Sequence, residues 1–381
     1  MTSGGPSNPP PSRIALVGLG SNSFTNPSVE AALRKRFPAQ EIDWFDLAPL
    51  VMARPLMRLR SLTQAALEFP SRIRLDPRRL KRQRLWTTYM FEQRSRAAAE
   101  VVKKDRYLFS MQIQSTYDAS IPGLPHFIYT DNTLLASLQY NGTTKADLPV
   151  TDSWLELERR SYNNAVACFV MSKNVGRSLV EDYGCPQENV ICAYGGRNTP
   201  AAPNTAEVIK NKNILFVGVD WERKGGPDLI EAFRLVRARI PDATLTVIGC
   251  SPAVTEPGCQ IVGRVPPNEV GHYYANASIF CMPTRHEPFG IAFVEAMAHK
   301  LPVVATDVGA IPDFVTNGHN GFCVSPGDVH GLASSLITLL DNATLRKEMG
   351  ERSGAVSEKY TWQNVTAIMR RHIECRIGVV D

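Results

Sequence analysis

The sequence lacks the patterns that mark membrane-spanning and metal-binding proteins. No apolar run reaches the roughly 18 residues that a transmembrane helix needs. The eight cysteines include no C-x-x-C pair, and no group of His, Cys and carboxylate residues has the spacing of zinc ligands. Because most of the cysteines stand in apolar runs, they are typical of reduced, buried thiols. We therefore expect a cytoplasmic protein without a metal site.

The first segment, residues 1–11, also lacks the charged and then apolar layout of a signal peptide. Its Gly, Ser and Pro content predicts a disordered tail. The chain as a whole has 381 residues, of which 44% are hydrophobic and 21% charged. This composition is typical of a soluble globular protein with room for two domains.

The net charge of +5 is modest, but basic residues are concentrated in one segment. Residues 51–106 hold fifteen Lys and Arg against five Asp and Glu, with apolar residues interleaved. Two interpretations are open: a solvated helical face, or a surface for an anionic acceptor or for peripheral contact with the inner face of a membrane. No nucleic-acid partner is expected, because no binding motif accompanies the charge. The densest cluster comprises Arg72, Arg74, Arg78, Arg79, Lys81, Arg82 and Arg84.

Short apolar runs alternate with amphipathic helical patterns twice along the chain. The first series, residues 12–200, carries a basic helical insertion at 50–105, and a Pro- and Ala-rich linker follows it. The second series occupies residues 206–361 and includes a predicted helix over 289–299. This alternation predicts an α/β fold of two Rossmann-like, doubly wound parallel-sheet domains facing a cleft. Ligands are expected beyond the carboxyl ends of the strands.

The first predicted strand, residues 13–18, leads into a Gly-rich turn. Gly18 and Gly20 begin a dinucleotide fingerprint, but Ser23 stands where the third glycine belongs. An NAD-linked oxidoreductase is therefore one alternative function, and the incomplete motif weighs against it.

Two glutamates stand out in an otherwise apolar segment of the second series. Glu287 and Glu295 are eight residues apart, which corresponds to roughly 12 Å along a helix. Between them, Phe289 and Gly290 stand at the predicted helix start, where free N–H groups suit a phosphate anion. The two carboxylates are therefore spaced to hold the hydroxyl-rich ends of one ligand, with a diphosphate between them.

The stretch 287–297 resembles the E-P-F-G-x-x-x-x-E-A-M pattern of the family-4 retaining glycosyltransferases, which have the GT-B fold. The resemblance implies that Glu287, Phe289 and Gly290 contact the donor sugar and that Glu295 binds the ribose. It also implies transfer of a sugar from a nucleoside diphosphate donor, UDP or GDP, to an acceptor hydroxyl of a glycan, lipid or small molecule. Neither a metal nor another cofactor is implied. A final helix over 362–381 is expected to cross back to the first domain.

The turn at 218–226 carries two cations beside a Gly pair. Fixed cations stabilise the charge of a departing diphosphate, so Lys224 and Arg223 are candidates for that role. Lys224 matches a lysine of the family pattern. Val219 stands where the family has an arginine, and Arg223 is the candidate replacement.

Other positions follow the family pattern more loosely. By resemblance, Gly263 and Arg264 contact the nucleotide base, and Gly18 and Gly20 line the donor site. Asp131 stands in a loop where many relatives have a histidine; it either hydrogen-bonds sugar or acceptor, or caps a helix. These departures leave a nucleotide-sugar epimerase and a non-catalytic nucleotide-sugar-binding protein open as alternatives.

Overall fold

A computed structural model of the chain describes residues 13–20, 25–52, 55–70, 80–140, 143–200 and 211–378. These residues form two α/β domains, each built on a six-stranded parallel sheet, which confirms the predicted fold class. The predicted tail at 1–11 and the predicted linker beyond residue 200 lie outside the described residues.

The first domain has the strand order β2-β1-β3-β4-β5-β6, with every pair parallel. Its central strands are buried along their whole length, as expected for a sheet covered by helices on both faces. Its elements are β1 Arg13–Gly18, α1 Thr25–Arg36, β2 Glu41–Asp46, α2 Leu47–Met52, α3 Pro55–Glu68, α4 Leu80–Gln83, α5 Thr88–Val101, β3 Phe109–Ile113, β4 His126–Thr130, α6 Asp152–Asn164, β5 Ala167–Val170, α7 Lys173–Glu181 and β6 Val190–Cys192.

The second domain has the order β12-β11-β10-β7-β8-β9, again all parallel. The strand order reverses between β7 and β10, and such a switch point opens a crevice at the carboxyl ends of the two strands. Its elements are β7 Asn213–Val217, α8 Gly226–Arg239, β8 Thr244–Ile248, β9 Cys259–Gly263, α9 Val270–Ala275, β10 Ile279–Met282, α10 Ile291–Ala298, β11 Val303–Thr306, β12 Gly321–Val324, α11 Val329–Asp341, α12 Ala343–Ser357 and α13 Trp362–Ile377.

The last helix, α13, packs against the first domain. Arg36 at the end of α1 donates from Nη2 to the Gln363 carbonyl oxygen at 2.8 Å. The Arg370 guanidinium lies 5.7 Å from the centre of the Phe37 ring. The chain thus passes from the first domain to the second and returns, so a linker and a helix both join the domains.

The basic segment is only partly described. Residues 71–79, which carry Arg72, Arg74, Arg78 and Arg79, lie outside the described residues, as does the Arg82 side chain. Helix α3 buries Met57, Ser61 and Ala65 on one face. Its opposite face exposes three leucines, Leu56, Leu59 and Leu67, with 75%, 62% and 72% of their surface accessible. Among the described residues, no helix is both long and apolar enough to span a bilayer.

Candidate functional site

A buried ion pair lies at the switch point of the second sheet. Lys224 follows β7 in the turn that leads to α8, and Glu287 follows β10 in the loop that leads to α10. Lys224 Nζ donates to Glu287 Oε2, with only 12% and 5% of the two side chains exposed. Because a buried charge is costly without a partner, each of these two charged groups stabilises the other in its buried position.

Glycines in left-handed conformations bring the two loops together. Gly225, with φ of 74°, caps α8, and a Cβ there would lie 1.9 Å from the Pro283 carbonyl oxygen. Gly309, with φ of 56°, approaches the Glu287 carbonyl so closely that a Cβ would lie 2.1 Å from its oxygen. Only glycine allows these backbone approaches. Glu287 is therefore held by close backbone packing on both sides.

Helix α10 begins later than the sequence indicates. It starts at Ile291, and Gly290, with φ of 99°, is the N-cap residue. Helical residues do not adopt this positive φ, so Phe289 precedes the helix. Its ring is buried beside Gly195, where a Cβ would lie 2.7 Å from the ring. The unpaired N–H groups of the first turn include those of Ile291 and Ala292.

The electrostatics of the pair are set by burial and by the attraction between the two charges. Burial lowers the pKa of Lys224, while the Glu287 carboxylate opposes that shift. Burial, with the charges of Arg223 and Lys224, lowers the pKa of the neighbouring His286 to about 4, so this imidazole is neutral near pH 7. An anion that enters the site can take the place of the Glu287 carboxylate as partner of Lys224, since phosphate oxygens accept strong charge-assisted hydrogen bonds.

The first domain contributes two side chains to this cluster. The Tyr140 ring stacks on His286, with centroids 3.9 Å apart and planes inclined by 13°. The Tyr140 hydroxyl is buried without a hydrogen-bond partner. Asp131 follows β4, and its pKa is raised by burial and then by the negative charge of Glu287. Asp131 and Tyr140 therefore face Glu287 from the opposite domain.

Sequence reasoning did not find Tyr140 or His286. His286 precedes Glu287 directly, which is a weak signal, and Tyr140 stands in a loop with no pattern of its own. His126, the first residue of β4, is buried, and its Nδ1 lies 2.8 Å from Ser110 Oγ. The stacking of Tyr140 on His286 joins the two domains beside the ion pair.

Glu295 lies on α10 with its carboxylate turned to the domain linker. Oε1 accepts from the backbone N–H groups of Asn198 and Thr199, each at 3.1 Å, and Oε2 accepts from the Tyr274 hydroxyl at 3.2 Å. Burial raises its pKa. These hydrogen bonds attach the start of the linker to α10. A ribose could therefore bind the Glu295 carboxylate only by sharing it with these three partners or by displacing them.

The remaining predicted residues stand apart from the ion pair or support it. Arg223 donates from Nη1 to the His286 carbonyl at 2.9 Å, and so braces the loop before Glu287. Gly263 and the exposed Arg264 lie at the end of β9, the edge strand two positions from β7. No described contact joins them to the Glu287 cluster.

The Gly-rich turn after β1 has structural reasons for its glycines. A Cβ on Gly18 would lie 2.2 Å from the Trp44 ring, and Gly20, with φ of 66°, donates its N–H to Asp46 Oδ1 at 2.9 Å. Ser23 lies outside the described residues. Within the described parts of the chain, no three His, Cys, Asp or Glu side chains are grouped to hold a metal ion.

Known proteins resemble the second domain in sequence. Residues 211–342 match the family model described as glycosyl transferases group 1. The chain is 28% identical over 264 residues to a D-inositol 3-phosphate glycosyltransferase of Corynebacterium aurimucosum, covering 62% of each chain. It is 32% identical over 167 residues to the sulfoquinovosyl transferase SQD2 of Arabidopsis thaliana, covering 41% of this chain and 32% of the relative. The chain thus matches less than two thirds of the length of these relatives.

Solved structures match over nearly the whole chain. A sucrose-phosphate synthase from Thermosynechococcus elongatus superposes with a TM-score of 0.70 at 17% identity, covering 97% of this chain and 100% of the other. Anabaena Alr3699/HepE, solved in complex with UDP and glucose, gives a TM-score of 0.63 at 16% identity, covering 95% and 98%. At these identities the matches show a shared fold, which is GT-B.

Proposed function

From the match of residues 211–342 to the family model described as glycosyl transferases group 1, we propose that the protein transfers a sugar from a nucleoside diphosphate sugar to an acceptor hydroxyl. The observation that carries the proposal is the buried pair of Lys224 and Glu287 at the switch point of the second sheet. Asp131 and Tyr140 supply the opposite wall from the first domain.

Each member of the site has a role in this proposal. The diphosphate displaces Glu287 from Lys224, whose cation then offsets the charge that grows as the leaving group departs. The released carboxylate of Glu287 accepts hydrogen bonds from the sugar hydroxyls. Arg223 keeps the Glu287 loop in place, and Glu295 binds the ribose when the linker amides release it.

The proposed reaction retains the configuration of the sugar and needs no metal. The bond from the anomeric carbon to the diphosphate oxygen breaks, and the acceptor oxygen forms its bond on the same face. The acceptor proton passes to the departing diphosphate oxygen. No covalent carboxylate nucleophile takes part, so the carboxylate spacing rules of glycosidases do not apply.

The donor is proposed to be a UDP- or GDP-sugar. UDP is the first choice, since solved neighbours of the same fold hold UDP. The acceptor is proposed to be a hydroxyl-bearing glycan, lipid or small molecule, because Asp131 and Tyr140 present hydrogen-bonding groups to it. The relatives' names point to polar, hydroxyl-rich acceptors, such as D-inositol 3-phosphate.

The test is a donor screen followed by a turnover assay. A bound donor raises the apparent melting temperature by mass action, so thermal shifts with UDP-, GDP- and ADP-sugars select the base. Release of nucleoside diphosphate is then measured with an acceptor panel, with and without EDTA, and NMR of the product gives the anomeric configuration. Donor binding without release across the panel would favour a non-catalytic binding protein, and an isomerised donor would favour an epimerase.

We also propose that α3 rests on an anionic membrane surface. Leu56, Leu59 and Leu67 lie within an arc of about 80° around the helix axis, at 100° per residue. Arg58 and Arg60 are exposed on the same helix. An exposed apolar stripe beside basic residues suits insertion at the boundary between lipid headgroups and acyl chains.

Vesicle sedimentation tests this contact. The wild-type protein is expected to bind phosphatidylglycerol vesicles and to leave phosphatidylcholine vesicles unbound. Replacing all three leucines by serine should abolish binding, while Leu235→Ser, a leucine 37% exposed on α8, should not. Equal binding by both variants, or none by the wild type, would refute the contact.

A further inference from the structure

A cavity, here called the hinge cavity, lies on the side of the linker that faces α1 and α13. Its volume is about 670 Å³, within the range of small-molecule sites. Helix α1 lines one wall, residues 197–200 of the linker form the base, and the first turn of α13 closes the other wall. None of the predicted donor-site residues lines it. It is therefore distinct from the Lys224–Glu287 site.

The lining of this hinge cavity is basic. Lys35, Arg36 and Arg197 border it, and none of the described lining residues is an Asp or Glu. The only acidic partner of Arg197 among the described residues is the exposed Glu358, at 3.6 Å, and Arg197 Nη1 is buried without a hydrogen bond. Lys35 forms no ion pair within the described residues. Among the described residues, two of these cations have no carboxylate partner and the third is paired only with an exposed glutamate at 3.6 Å, which indicates an anionic occupant.

The rest of the lining suits the uncharged part of such an occupant. Ala31 and Ala32 of α1 and the Trp362 ring give apolar walls, while Thr361 and Gln363 offer hydrogen-bonding groups. Thr361 is also the N-cap residue of α13, a 16-residue helix whose N-terminal end adds positive potential. From the cavity and its three cations we propose that the hinge cavity binds a small phosphate monoester, such as a sugar phosphate.

The hinge cavity is hydrogen-bonded to the donor side through one linker residue. The Asn198 side-chain oxygen accepts from Trp362 Nε1 at 3.0 Å and from Ser28 Oγ at 2.8 Å, while its backbone N–H donates to Glu295. A ligand that shifts Asn198 therefore changes the hydrogen bonds of the Glu295 carboxylate. The occupant is thus an effector of donor binding, and this part rests on the ribose role proposed for Glu295.

Glucose 6-phosphate and inorganic phosphate are the probes, titrated into the full-length protein by calorimetry and by tryptophan fluorescence, with glucose as the uncharged control. Both phosphate probes should bind saturably and glucose should not. Lys35→Glu should weaken binding roughly tenfold or more, because hydrogen bonds to charged groups contribute strongly. Arg34→Glu is the matched control: Arg34 is an exposed cation on the same helix, paired with Glu30 and outside the lining.

Lys224→Ala separates this site from the proposed donor site. Phosphate-probe affinity should be unchanged in that variant, and glucose 6-phosphate should change the UDP affinity by the same factor by which UDP changes the glucose 6-phosphate affinity. The absence of saturable binding, equal weakening by Arg34→Glu, or loss of probe binding in Lys224→Ala would overturn the site. Intact probe binding with an unaltered UDP affinity would overturn the coupling alone.

Discussion

In the second domain, the candidate donor residues follow their strands closely, whereas one of the two residues that reach the site from the first domain, Tyr140, lies far along the loop after β4. Glu287 stands five residues after β10, and Lys224 seven residues after β7. Tyr140 lies ten residues beyond β4. A short loop keeps its chemistry in a recognisable local pattern, while a long loop is positioned by tertiary contacts. Glu287, Lys224 and Asp131, which stand near the ends of their strands, could therefore be predicted from the sequence, and Tyr140 could not.

The strongest way to break this comparison is Lys224→Ala. We expect the turnover number to fall by about 10²–10³-fold, because one fixed group that stabilises a developing anion contributes on that scale. The change also strands the buried Glu287 carboxylate, so the melting temperature should fall as well. The measurement is nucleoside diphosphate release with the selected donor.

Arg285→Ala is the control for that variant. Arg285 is a cation in the loop that carries Glu287, 53% exposed and paired with Asp228, so its loss should leave turnover within a few-fold of the wild type. A Lys224→Ala enzyme with wild-type turnover would show that the second domain's pattern does not carry the chemistry.

Asp131→Asn probes the first domain. If Asp131 binds sugar or acceptor, kcat/KM should fall by roughly ten- to a hundredfold, the scale of a hydrogen bond that involves a charged group. Nucleotide affinity should not change, because the proposed nucleotide site lies on the second domain. Asp118→Asn is the matched control, since Asp118 caps a turn by accepting from the Ser120 N–H. A loss of nucleotide affinity in Asp131→Asn would contradict the division of labour between the domains.

Glu295→Gln should have a smaller effect. Glutamine keeps one oxygen to accept from the Asn198 and Thr199 amides, so the linker stays fastened while the charge that holds the ribose is lost. We expect UDP affinity to fall several-fold, the scale of one or two neutral hydrogen bonds. Calorimetric titration of UDP measures it, and an unchanged affinity would reject the ribose role.

The positions of the strands follow from local sequence, whereas their order in each sheet depends on long-range pairing. The predicted strand at 13–18 is observed as β1, because a buried parallel strand is a continuous apolar run. Helix α12 was not predicted: it buries Arg346, Gly350 and Ser353, so no apolar stripe marks it. The N-cap residue Asn342, whose side chain accepts from the Leu345 N–H, was the one local signal for this helix.

The residues of the candidate site also fall into two groups, those that a local motif predicts and those that only tertiary contacts place. The motif predicts Glu287 and Lys224, but their mutual ion pair depends on the approach of two loops 63 residues apart. The stacking of Tyr140 on His286 depends on the closure of one domain on the other, which no local pattern encodes.

Tyr194, with φ of 62°, occupies a left-handed position where asparagine is better tolerated. Its carbonyl accepts from the Tyr129 hydroxyl at 2.6 Å, which helps to hold that conformation.

The smallest predicted effect concerns stability in the first domain. Glu158 on α6 is fully buried and accepts from Ser115 Oγ at 2.7 Å and from the Tyr183 hydroxyl. Burial raises its pKa from 4.5 to about 7. Between those pH values the folded state holds a proton that the unfolded state releases, so stability falls as pH rises through this window. Near pH 8 the folded protein therefore carries the full cost of a buried carboxylate.

Glu158→Gln removes the titrating group, keeps one oxygen to accept from Ser115, and places its amide NH2 group where it can donate to the Tyr183 hydroxyl oxygen. The variant should gain a few degrees in melting temperature over the wild type at pH 8 and lose that gain at pH 5, a small shift for a chain of this length. Melting temperatures measured from pH 5 to 8 test this. The control is Glu156→Gln, an exposed position on the same helix, whose melting temperature should follow that of the wild type across the whole pH range. A gain in melting temperature that is independent of pH would mean that Glu158 does not titrate between pH 5 and 8. The first domain would then owe none of its pH response to this carboxylate.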